Sequence, residues 1–182
     1  MKRTIPLLAL LALAGAVLAR TATPAAAAGP SAIAVDKTIW LNTIGYVTTA
    51  AEQMPDSLYA YRPTKAVRSF GELVAHVAGS QHMFCAAATG DKPSAEDDVE
   101  KTATTKAAIL SALKSSTAYC QKAYAMADAD ALARPVQLFG MKINGMWAVL
   151  ENTAHDSEHY GNIVTYFRMV GMVPPSSQPA PK

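Results

Sequence analysis

Beyond residue 19 the sequence has no long apolar run, and it carries no internal repeat and no useful stretch of strand-like alternation. These gaps argue against a membrane-spanning helix after the N-terminus, a solenoid and an ordinary β-sandwich. Cysteine occurs twice, at Cys85 and Cys120, too few for a disulfide-stapled miniature fold. An excess of positive charge is also lacking once the first residues are set aside. The opening Lys2-Arg3 pair, the apolar stretch from Ile5 to Ala19 and the small residues Ala25 to Ala28 form the pattern of a cleaved secretory signal peptide, residues 1–28. Its removal takes Lys2, Arg3 and Arg20, so 16 basic residues fall to 13 against 14 acidic ones. The remaining chain has no basic excess to suit a nucleic-acid partner. No cysteine near the cleavage region offers a lipid anchor. The expectation is an exported protein, periplasmic or secreted, with no stable membrane anchor after cleavage.

What is present is helical. Ile33, Trp40, Ile44, Val47, Ala51 and Met54 recur at helical spacing and stop at Pro55. A second segment starts on Ser69, whose S-x-x-E pattern with Glu72 predicts a capping box, and ends near Gly90. A polar stretch, Asp91 to Lys101, leads to a third segment carrying Leu110, Leu113, Thr117, Cys120, Tyr124 and Ala127. Asp128 to Gly145 reads as irregular. A fourth helix is predicted from about Met146 to Val170, with Gly171 as its C-cap. The domain reading is a four-helix bundle over residues 29–175, all-α, followed by a flexible tail at 176–182. Cys85 and Cys120 sit at comparable depths in the second and third helices. A disulfide between them therefore requires those helices to be parallel and joined by a crossover.

The chemistry lies in four histidines: His76, His82, His155 and His159. In HDSEH, residues four apart on a helix differ by about 40° in direction and about 6 Å in rise, so His155 and His159 can reach one metal ion. Both fall on the predicted core seam through Ala148, Asn152, Ile163, Tyr166 and Val170, where unpaired imidazoles would each cost about 1–3 kcal/mol. A third ligand must come from His76 or His82. These lie about 120° to either side of the apolar stripe of the second helix, so periodicity does not choose between them.

The order "MPDSLYAYRPTKAVRSFGELVAHVAG" followed by "HDSEHYGNIVTYFRMVGMVPP" resembles the DinB-like superfamily of metal-binding four-helix proteins, along essentially the whole chain after the leader. The resemblance implies an up-down-down-up bundle with helices two and three parallel, and His76, His155 and His159 as the metal ligands, with no role for His82. Three imidazoles leave a divalent ion an open position, as in catalytic sites. Zinc is the first expectation, with nickel, iron or manganese as alternatives. Asn152, Asn162 and Tyr166 are weaker candidates for second-tier or substrate contacts, and Glu151 lies beside the same seam.

The leading functional expectation is a metal-dependent transferase or hydrolase acting on a small molecule outside the cytoplasm, with a homodimer as the candidate assembly. Relatives in the family include thiol-dependent S-transferases, but an oxidising compartment weakens thiol chemistry. A non-catalytic metal- or ligand-binding stress module is the alternative. A third reading takes HDSEH as the HxxEH of a metallopeptidase with Glu158 as base. It is disfavoured because too little chain follows His159 to supply a carboxylate ligand, and Glu158 points to the edge of the seam.

Overall fold

The computed structural model describes residues 29–126 and 132–179. The expected signal peptide, the end of the third helix at Ala127 and residues 180–182 of the expected tail lie outside the described residues. Four long helices make the body: α1 (Ala32–Gln53), α2 (Phe70–Thr89), α4 (Lys106–Ala125) and α5 (Gly145–Met169), with a short α3 (Asp98–Thr102) between α2 and α4. Each long helix begins on a side-chain cap, from Ser31, Ser69, Thr105 and Asn144 respectively. At α2 the cap is the full box: Ser69 N–H donates to Glu72 Oε2 at 2.6 Å, and Glu72 N–H to Ser69 Oγ at 3.3 Å. Helix α1 stops where Pro55 forces Met54 into an extended conformation. Helix α2 stops at Gly90, whose φ of 84° suits glycine.

Side-chain pairings fix the topology. Gly71 lies near Ile109, Gln81 Nε2 donates to Ser116 Oγ, and Cys85 is bonded to Cys120, so α2 and α4 run parallel. Tyr166 reaches Arg68 and His155 reaches Ser80, so α5 runs antiparallel to α2. Thr43 meets Ser157 and Tyr46 stacks on Tyr160, making α1 parallel to α5. Trp40 stacks on Tyr124 while Lys106 reaches the carbonyls of Glu52 and Met54, making α1 antiparallel to α4. The order is up-down-down-up, as the resemblance implies. Among the described residues no helix is long and apolar enough to cross a membrane.

The core packs around Trp40, Phe70, Phe84, Leu113, Ile163 and Phe167. Buried polar links run through it, among them Trp40 Nε1 donating to Gln81 Oε1 at 2.8 Å. Helix α2 is buried on nearly every face from Phe70 to Ala88. A helix enclosed on nearly every side can bury residues well away from its apolar stripe, so distance from that stripe does not separate His76 from His82.

Two expectations need correction. The segment read as irregular holds an antiparallel hairpin, β1 (Pro135–Leu138) and β2 (Met141–Asn144), with Val136 opposite Ile143. Its turn residues Phe139 and Gly140 both have positive φ, 52° and 73°, the signature of a two-residue type I′ turn. Four-residue strands are too short to display a period. The polar stretch between α2 and α4 is also more than a linker. A Cβ at Gly79 would stand 2.2 Å from the carbonyl oxygen of Glu96, so this stretch rests directly on the α2 backbone.

Candidate metal centre

Helix α2 contributes His76 and helix α5 contributes His155 and His159, one turn apart. His76 is 4% exposed, and the other two are half-buried at the rim of the core. The buried ridge of α5 runs through Val149, Asn152, Thr153, Asp156, Ile163 and Phe167, so the two imidazoles flank the core seam rather than lying on it. One ring nitrogen from each of the three histidines lies within 4.8 Å of the others. The Nε2 atoms of His155 and His159 are 3.1 Å apart. Two nitrogens bound to one tetrahedral ion at ~2.1 Å stand roughly 3.4 Å apart, so this spacing is close to that of a shared cation.

The protonation states also fit. Ser80 Oγ donates to the His76 carbonyl at 2.8 Å. Its single hydrogen is then committed, so the 3.3 Å contact with His155 is a donation from Nδ1–H to Ser80 Oγ. That tautomer leaves a lone pair on His155 Nε2, facing His159. Burial pushes His76 down to about 4 from its ordinary 6.5, with the nearby Arg68 cation adding to the effect. Burial and then the neighbouring His159 push His155 down to about 3. Burial lowers His159 as well. Neutral imidazoles are the form that binds metal. His76 Nδ1 and His159 Nδ1 are buried with no hydrogen-bond partner.

Carboxylates from the crossover between α2 and α4 surround His76, and sequence patterning gave no sign of them. Asp97 Oδ1 and Glu100 Oε2 each lie 3.7 Å from His76 Nδ1. Arg68 Nε donates to Glu100 Oε2 at 3.0 Å and holds this side of the cluster. Glu96 Oε1 lies 3.4 Å from Nε2 of both His76 and His155, and burial raises its carboxyl above the usual range. His82 faces elsewhere, within 3.1 Å of Ser94 Oγ and packed against Tyr119.

A cleft of about 640 Å³ opens beside His159, lined by Val67, Arg68, Glu100, Asn162 and Tyr166 among others. Two of the weaker candidates, Asn162 and Tyr166, therefore stand at the cleft, and the Tyr166 hydroxyl donates to the Arg68 carbonyl at 2.6 Å. Asn152 does not reach an imidazole: its side chain is turned into the core, donating to Tyr124 Oη at 3.1 Å. Glu151 takes no part in the cluster or the cleft. Glu158 is solvent-exposed, as its position at the seam edge predicts. Cys85 and Cys120 form the disulfide, with Cα atoms 5.2 Å apart.

Residues 41–163 match the DinB superfamily, and the chain belongs to that family. A comparison with curated proteins finds no match. Among solved structures, the chain resembles a DinB-like protein of Bacillus subtilis (23% identity, TM-score 0.58), with 79% of this chain and 98% of that one covered. It also resembles a DinB-like protein of Bacillus cereus (14% identity, TM-score 0.63), covering 77% and 93% of the two chains. A mycothiol-dependent maleylpyruvate isomerase shares the fold at 14% identity and TM-score 0.59, with 72% of this chain matched to 59% of that chain.

Proposed function

We propose that the chain is a divalent-metal-dependent enzyme that works on a small molecule outside the cytoplasm, with His76, His155 and His159 as the metal ligands. The observation that carries this reading is the convergence of neutral imidazole nitrogens, 3.1 Å apart at the His155–His159 pair, beside a cleft that His159 itself lines. A divalent ion there would supply a Lewis acid that polarises a carbonyl or activates a nucleophile. This chain's residues would do the rest. The Ser80 hydroxyl fixes the His155 tautomer, Asp97 and Glu100 face the far nitrogen of His76, and Asn162 offers an amide to a ligand in the cleft. Zinc is the first choice for such donors, with nickel, iron or manganese next.

The reaction is a transfer or a hydrolysis. Likeness to a mycothiol-dependent isomerase brings thiol chemistry into range, while the leader sequence and the Cys85–Cys120 disulfide favour an oxidising compartment and hence hydrolysis. A non-catalytic metal- or ligand-holding stress module is the second reading. It is favoured by the commitment of cleft polar groups to the protein itself, Tyr166 to Arg68 and Arg68 to Glu100.

Metal analysis of the exported form, purified without chelator and then titrated with zinc, nickel and manganese, tests the proposal. One ion per chain, lost in His155→Ala, is the expected result, and no binding of any of these ions would overturn it. Hydrolysis of a small ester or amide panel by the loaded protein, abolished by chelator, would separate the enzyme from the holding module.

A further inference from the structure

The segment from Ser94 to Glu100 is strapped at three points, two on α2 and one on Arg68 just before its N-cap. Upstream, Ser94 Oγ meets His82 Nδ1 at 3.1 Å. Downstream, Arg68 clasps Glu100 at 3.0 Å. Between them the Glu96 carbonyl oxygen sits where a Cβ on Gly79 would come within 2.2 Å, an approach that only glycine permits. The strap is closed on itself as well, since Ala95 N–H donates to Asp98 Oδ2 at 3.0 Å. These anchors hold the backbone of Glu96 over the histidines, and its side chain turns inward.

Glu96 Oε1 then lies 3.4 Å from His76 Nε2 and 3.4 Å from His155 Nε2. Both contacts exceed the ~2.8 Å of a charge-assisted hydrogen bond. Both match the roughly 3.4 Å edge between donors that share one tetrahedral ion, with the 3.1 Å His155–His159 edge close to it, and a further turn of the Glu96 side chain would bring its carboxylate to His159 as well. We propose that Glu96 is a fourth protein donor to the metal, delivered by the Gly79-seated strap, so that the centre is three imidazoles and one carboxylate. The proposal rests on the reading of His76, His155 and His159 as ligands. Glu96 does not line the cleft beside His159, so a small molecule entering from the cleft would join the four protein donors as a fifth ligand. A carboxylate also cancels one positive charge of a divalent ion and makes the donor set more hospitable to manganese or iron than imidazoles alone.

Cobalt(II) titration of the full exported chain, followed by visible absorption, provides the test, with wild type, Glu96→Gln, Glu158→Gln and His155→Ala compared after circular dichroism confirms folding. Glu158 is exposed and loses the same charge, so it controls for general electrostatics. The expected result is a loss of at least about tenfold in affinity and an altered ligand-field spectrum for Glu96→Gln, with Glu158→Gln close to wild type. If Glu96→Gln keeps wild-type affinity and spectrum while His155→Ala loses both, the fourth donor is refuted and the triad stands. Equal losses in Glu96→Gln and Glu158→Gln would also refute it, as a charge effect. A wild-type protein that binds no cobalt would overturn the triad and the fourth donor together.

Discussion

The Nε2 atoms of His155 and His159, on successive turns of α5, face each other at 3.1 Å, and His76 comes to them from the antiparallel α2 with ring centroids 5.2 and 4.9 Å away. His82, six residues further along α2 from His76, is held by Ser94 and Tyr119 instead. Metal analysis of single variants should therefore divide the histidines. His76→Ala, His155→Ala and His159→Ala lose the ion, and His82→Ala keeps it. Retention by His76→Ala together with loss by His82→Ala would show the α2 ligand to be misassigned.

The disulfide joins residues separated by 35 positions. Closing a loop of that size removes enough chain entropy from the unfolded state to stabilise the fold by about 3–4 kcal/mol. Urea unfolding of the Cys85→Ser, Cys120→Ser double variant should show a loss of that order. A midpoint unchanged from wild type would mean that the reduced, unfolded chain is already constrained.

Asp36 on α1 is 6% exposed, and its Oδ2 has no hydrogen-bond partner. Burial raises its carboxyl above the ordinary 3.8, only partly offset by a hydrogen bond with Thr153. The folded state thus binds the Asp36 proton more tightly than the unfolded chain does. Its contribution to stability falls as pH rises from 3.8 through the raised folded value, and the penalty is complete above it. Asp36→Asn should accordingly be more stable than wild type at neutral pH, with the difference shrinking towards pH 3.8. Thermal melts across that range check the sign, and a destabilised Asn variant at pH 7 would contradict it.

Gly79 is the seat of the strap. Gly79→Ala must move the crossover backbone, because a carbonyl 2.2 Å from the new methyl cannot yield as a flexible side chain would. Overpacking of this kind costs about 1–3 kcal/mol. Hydrogen exchange should also quicken in residues 94–100 relative to α5. A variant as stable as wild type, with an equally protected strap, would mean that the contact relaxes at no cost.

The bundle was legible because its helices announce themselves locally: Ser69 with Glu72, Pro55 and Gly90 are boundary signals that act within a turn of the chain. The parallel setting of α2 and α4 followed from cysteine depth. His155 and His159 share a face of one helix, so spacing alone paired them. Choosing His76 required the family resemblance, since α2 is enclosed on all sides and its burial carries no direction. Glu96, Asp97 and Glu100 were invisible for a different reason. They lie in a crossover whose path is set by tertiary contacts at Gly79, His82 and Arg68, and no periodicity links a loop carboxylate to a histidine twenty residues before it. Asn152 shows the converse error. It shares the histidine seam by count, yet Tyr124 and Asp156 draw its amide into the core.

Every strap residue lies between Cys85 and Cys120, so the disulfide turns the crossover and the adjoining ends of α2 and α4 into a covalent ring. A protease cutting anywhere in that ring would open it without dividing the molecule. The nicked protein would migrate as one species until reduced, and both halves of the bundle would stay tethered beside the histidines.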